Sequence, residues 1–225
     1  MINRKTPEEI EQMAASGAIL ARCLQLVRSK ARPGVTTGDL DEAAERFIRS
    51  QGGEPAFKGY RGFPGSICAS PNSMIVHGIP GSYKLQRGDI LSIDVGVVLD
   101  GWVSDAAITV PIGPVSPIAT NLMQTTRDAL FDAVEQARPG NHLGDISHAV
   151  QNRVEEAGFS VVRALVGHGV GRVPARRREP SLTVAAVNVV CQHWLETPSA
   201  ITSCAVTGRI RGSAGVWRFA PLAVA

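Results

Sequence analysis

ILSIDVGVVLDGWVSDAAITV, residues Ile90 to Val110, reads as a β-hairpin that carries two acids. Both arms are rich in Val and Ile, and Asp100-Gly101 between them suits a tight turn whose two central residues take positive φ. Pairing Leu99 with Trp102 puts Asp105 opposite Gly96, with Asp94 two residues along the same arm. Residues of equal parity share a sheet face, so Asp94 and Asp105 become diagonal neighbours with Cα atoms roughly 7–8 Å apart. Two carboxylates on an otherwise apolar face repel and cost several kcal/mol to bury unpaired. A divalent cation between them would resolve this. A solvent-facing sheet edge is the competing reading of the hairpin alone, although Asp is depleted inside strands.

Outward from the hairpin, the chain has 225 residues, 44% of them hydrophobic, and a net charge of +3. That length suits one large domain or two small ones with ample material for a core. The charge is too small to argue for a nucleic-acid partner. The surplus sits in the tail, where Arg176, Arg177, Arg178, Arg209, Arg211 and Arg218 face only Glu179 and Glu196. The opening MINRKTPEEIEQM is polar and then amphipathic, unlike a signal peptide or anchor, and no apolar run nears the ~20 residues that span a bilayer. Cys23, Cys68, Cys191 and Cys204 show no C-x-x-C spacing, so reduced thiols and a cytoplasmic protein are expected.

Upstream, Thr6-Pro7-Glu8-Glu9 combines an N-cap, a first-turn proline and a capping box. Ile10, Met13, Leu20, Leu24 and Val27 continue it as a core-facing helix to about Ser29. A second helix starts near Thr37 and stops at Gly52-Gly53. Between Glu54 and Pro80, Tyr60, Phe63 and Cys68 could line an apolar pocket. His77, between Val76 and Gly78, reads either as a hydrogen-bonded structural residue or as a partner of the acidic hairpin.

Downstream, a third helix is expected from Pro117 to Ala137, and then the chain repeats itself. Ala31-Arg32-Pro33-Gly34 recurs as Ala137-Arg138-Pro139-Gly140, Gly38-Asp39-Leu40 as Gly144-Asp145-Ile146, and Gly52 as Gly158, all at an offset of 106. One offset across several anchors indicates two halves related by duplication. A counterpart hairpin is then expected near 196–216, with Ala200 and Arg211 in the places of Asp94 and Asp105. The second pair of acids is missing. An apolar strand from Val161 delivers His168 between Gly167 and Gly169, whose lack of side chains leaves the imidazole unobstructed. Asp94, Asp105 and His168 together suit Mn, Fe, Co or Zn. A phosphate cradle in Gly167-x-Gly-x-Gly171 ranks lower, since no helix signal follows it.

Asp94, Asp105, His77, His168 and the phrase SICASPNSMIVHGIP together resemble the type I methionine aminopeptidases over residues 1–172. The resemblance implies an α+β pita-bread fold, in which two pseudo-symmetric halves enclose a site with two divalent metal ions. It implies that Asp94, Asp105 and His168 are metal ligands and that His77 is the catalytic, substrate-contacting histidine. Tyr60, Phe63 and Cys68 correspond to positions lining the methionine pocket. The implied activity is removal of the initiator methionine from nascent chains in the cytoplasm, by a monomer with no membrane or specific DNA partner. Ribosome contact by the arginine run is a further expectation.

After Arg172 the sequence leaves the family pattern. A second histidine and two glutamate ligands are expected there, and the chain reads Val173-Pro174-Ala175-Arg176-Arg177-Arg178. The expected organisation is thus a catalytic region 1–172, its first half about 1–112 and the start of its second half 113–172, followed by an atypical tail 173–225. The tail's Ala, Val, Arg and Pro bias reads as a shifted reading frame or a disordered segment, and leaves the second half incomplete. The alternative function is a catalytically inactive relative that binds peptide N-termini without cutting them.

Overall fold

The computed structural model describes residues 5–165 and 167–172, together with the backbone of two strands at 188–193 and 201–205. The remainder of the tail after Arg172, where a frame shift or disorder is expected from composition, lies outside the described residues.

Helix α1 spans Pro7–Lys30 and α2 spans Thr37–Ser50. Each opens with a capping box: Thr6 with Glu9, and Thr36 with Asp39. Both satisfy main-chain N–H groups that the first turn of a helix leaves without partners. Strands β1 (Glu54–Pro55), β2 (Ile67–Pro71), β3 (Ile90–Leu99) and β4 (Trp102–Pro111) form the first sheet. All pairings are antiparallel, with β1 and β2 along one edge of β3 and β4 along the other. The hairpin register is the one read from the sequence: Leu99 pairs with Trp102 and Gly96 with Asp105. Asp100 and Gly101 have φ of 50° and 81°, the left-handed pair that a two-residue turn between twisted strands demands.

Alternation along the hairpin divides its chemistry. Leu91, Ile93, Val95 and Val97 pack with Ala106 and Val110 against Leu20, Leu24 and Leu40 of the helices, forming the main core. Ser16 seals that face, its hydroxyl 3.1 Å from the Val97 carbonyl, to which it donates, and 2.8 Å from the Ser104 hydroxyl. Asp94 and Asp105 point to the other face. That face is more polar than expected, since it also carries Ser92 and Thr109, whose hydroxyls lie 2.8 Å apart.

Helix α3 (Pro117–Gln136), helix α4 (Leu143–Glu156) and strand β5 (Phe159–Val161) repeat the order α1, α2, β1. Helix α4 lies 106 residues after α2 at both ends, and the turn glycines keep their conformation, Gly34 and Gly140 at 88° and 96°, Gly52 and Gly158 at 80° and 81°. Leu122, Ala129, Val150, Val154 and Phe159 make a second, separate core.

Strands β6 (Asn188–His193) and β7 (Ile201–Ala205) complete an antiparallel sheet in the order β5, β6, β7. The second hairpin therefore begins earlier than the expected 196–216. Pro55 pairs with Val97, whereas Val161 pairs with Cys191, so the return connection is 12 residues shorter and the constant offset ends at β5. In register, Asn188 opposite Ala205 corresponds to Asp94 opposite Ala107, and Val190 opposite Ser203 to Gly96 opposite Asp105. The positions matching the two acids are Asn188 and Ser203, in place of Ala200 and Arg211.

Candidate active site

The turn at Asp100-Gly101 fixes which face the two acids share, and the neighbouring elements enclose them. Asp41 of α2 accepts from the Ser66 and Ile67 amides through one oxygen, at 2.7 and 2.9 Å, and so pins the start of β2. Two residues on, buried Cys68 pairs with Asp94 across the β2–β3 ladder. Burial and the charges of Asp94 and Asp105 push its thiol far up, which keeps it protonated.

Segment 167–172 lies along the start of β4, where the Val103 amide donates to the Gly171 carbonyl at 3.0 Å. The Arg172 guanidinium rests 5.7 Å from the centre of the Trp102 ring, and Val170 is buried with Val103 and Ala56. This docking carries His168 to the acids, with Nε2 3.7 Å from Asp105 Oδ2. Its Nδ1 is 3.3 Å from the Gly169 carbonyl.

Asp94 and Asp105 approach within hydrogen-bonding reach of each other. Asp94 retains some exposure as a residue, but its Oδ1, like Asp105 Oδ1, is sealed from solvent without a hydrogen-bond partner. Burial first, and then the charge of Asp105, raise the Asp94 carboxyl well above the usual carboxylate range. Burial also raises Asp105, opposed by its hydrogen bond with Asp94 and by the charges of His168 and His77. Two sealed carboxylate oxygens lacking donors form a cradle for a cation, and the hard oxygens with a neighbouring imidazole suit a divalent metal. The cradle is not a closed cage. Among the described residues, no group of three or more His, Cys, Asp or Glu side chains converges tightly enough to hold a metal.

His77 stands apart from the acids, exposed at the end of a loop yet near enough for its charge to act on Asp105. Tyr60 and Phe63 are half-buried around a single 3-10 turn, Tyr60–Gly62, with Arg61 5.4 Å from the centre of the Tyr60 ring. One neighbour was not singled out from the sequence. Phe57 lies over Gly96, where a Cβ would sit 2.7 Å from Cε1 of the ring. A side chain at residue 96 would share the face of Asp94 and Asp105, so Phe57 covers the ground between them. A glycine in the middle of an otherwise apolar strand is the sequence signal for such an approach.

The sequence matches metallopeptidase family M24 over residues 11–190. It is 48% identical over 172 residues to methionine aminopeptidase 1 of Bacillus subtilis, a match covering 76% of this chain and 69% of the relative. It is 49% identical over 172 residues to a methionine aminopeptidase of Clostridium perfringens, with the same two coverages. The fold superposes on the crystal structure of methionine aminopeptidase from Rickettsia prowazekii with a TM-score of 0.85 and 32% identity, covering 93% of this chain and 96% of that one. Prolidase from Pyrococcus furiosus shares the fold at a TM-score of 0.77 and 19% identity, covering 95% of this chain and 64% of that one. The architecture is the α+β pita-bread fold of these neighbours. With its paired carboxylates on the first hairpin and His168 beside them, the chain belongs to metallopeptidase family M24, among the methionine aminopeptidases.

Proposed function

We propose that this chain removes the N-terminal methionine from nascent proteins and peptides. The observation that carries the reading is the Asp94–Asp105 pair, with one oxygen of each carboxylate sealed and unpartnered and His168 3.7 Å from Asp105. Asp94, Asp105 and His168 are the residues that would hold divalent metal. A cation there supplies Lewis acidity, which polarises a carbonyl and acidifies water.

The chain's own residues supply binding and proton placement. The Cys68 thiol, held neutral, and the rings of Tyr60, Phe63 and Phe57 offer an uncharged, polarisable lining suited to a thioether side chain. His77, exposed on its loop and near enough for its charge to act on Asp105, would donate a hydrogen bond to the first peptide bond of the bound substrate. The substrate class places the activity in the cytoplasm, where new chains emerge. In this reading residues 1–172 form the catalytic region, followed by the atypical tail 173–225.

A second reading is supported by the register of the two hairpins. Asn188 and Ser203 occupy the positions that match Asp94 and Asp105, so the second half offers neither carboxylate of such a pair. On that basis the site holds fewer cations than the two of a fully symmetric centre, and the chain binds peptide N-termini without cleaving them.

Release of methionine from peptides beginning Met-Gly or Met-Ala, assayed with Mn, Fe, Co or Zn, tests both. Release that disappears in Asp94→Ala supports the aminopeptidase. Binding of the peptide with no release under any of these metals supports the second reading.

A further inference from the structure

Strand β2 is an edge strand, and an outward-facing amide on such an edge needs a partner. The Ala69 amide finds one in the Gly78 carbonyl, at 2.9 Å. The Gly78 amide in turn donates to the buried Ser70 hydroxyl, at 3.0 Å. Both main-chain groups of Gly78 are therefore tied to β2, so closely that a Cβ there would lie 2.2 Å from the Ala69 oxygen. The residue held just before this clamp is His77, whose φ of 59° is left-handed for a residue with a side chain. Such a conformation persists only where its surroundings over-determine it. The far end of the loop is tied as well. Asn72, at φ 52°, donates to Asp89 Oδ1 at 2.9 Å and accepts from the Ile90 amide at 3.1 Å.

We propose that Ser70 is a positioning residue for His77: its hydroxyl holds the His77–Gly78 peptide and so aims the imidazole at the space beside Asp105. Ser70 itself is buried, at 3% exposure. The assignment rests on the aminopeptidase reading for its catalytic consequence, and on geometry alone for its structural one. Removing the hydroxyl leaves a buried amide without an acceptor, which lets that peptide rotate and His77 leave the left-handed region.

The test is Ser70→Ala in the full chain, read in two ways. In spectra of 15N-labelled imidazoles, the His77 signals shift or broaden while those of His142, at the N-cap of α4, and His148, on its exposed side, stay in place. Ser70→Cys, which keeps the shape and weakens the acceptor, gives the same displacement at smaller amplitude. In the methionine-release assay, Ser70→Ala lowers kcat/KM on the order of tenfold, mainly through kcat. In a His77→Ala background it causes no further loss. Unmoved His77 signals in Ser70→Ala overturn the proposal whatever the activity, as does an equal loss of activity with and without His77. If the unmodified chain releases no methionine, the aminopeptidase reading fails and the imidazole spectra alone decide the role of Ser70.

Discussion

Asp94 and Asp105 illustrate how a site can oppose the fold that carries it. Each buries a carboxylate oxygen without a donor, and the two carboxyls face one another across a diagonal of the hairpin. Asp94→Asn, which keeps the shape and removes a charge, is expected to stabilise the metal-free chain by about 1–3 kcal/mol. The same variant should lose the rise in melting temperature that Mn confers on the parent, and paired thermal melts with and without Mn check both halves. Gly96 shows the opposite case, a residue defined by what it lacks. Gly96→Ala meets Phe57 at 2.7 Å and the Ala56 Cβ at 2.8 Å, and should cost about 1–3 kcal/mol in urea unfolding. Substituting Phe57 with Leu as well should recover part of that loss.

Helix α2 ties the segment between β1 and β2 to the core through its acids. Asp41 holds the Ser66 and Ile67 amides, and Glu45 pairs with Lys58 and with Arg49. The Lys58 hydrogen bond is the largest of the effects that hold the Glu45 carboxyl down at about 2. A carboxylate lowered in the folded state stabilises above its unfolded value and loses that contribution as pH falls through the folded one. Glu45→Gln should therefore cost about 1 kcal/mol near pH 7, given that its partners are half exposed. The gap between parent and variant should close as pH falls from about 4.5 towards 2, as measured by denaturation at a series of pH values. A gap independent of pH would assign the cost to packing. The helix starts were legible in the sequence: α1 begins where the Thr6 cap places it, α2 at Thr37 and α3 at Pro117, as expected.

At the scale of the whole molecule, two cores stand side by side. The main one joins α1 and α2 to the first sheet, and the other joins α3, α4 and β5. Fully buried Val154 belongs to the second alone. Val154→Ala is expected to cost about 2 kcal/mol and to speed amide exchange across α3 and α4 while β3 keeps its protection. Uniform acceleration would mean that the two cores unfold together. The backbone of β7 runs beside β4, so the hairpins of the two halves abut.

The sequence by itself determined what depends on neighbours along the chain. Two-residue periodicity and the Asp100-Gly101 turn specified the hairpin register to the residue, because a slip of one would send every core side chain to the other face. The 106-residue repeat specified the second helix pair, because the turn glycines and the first-turn aspartates Asp39 and Asp145 recur and fold alike. Tertiary structure decided what depends on distance across space. It put Phe57 over Gly96, tied Gly78 to the edge of β2, laid the His168 segment along β4, and moved the first arm of the second hairpin 12 residues from its expected place. None of these has a periodic signature. Each arises where separate segments compete for the same edge or the same volume, and only packing settles which of them meet.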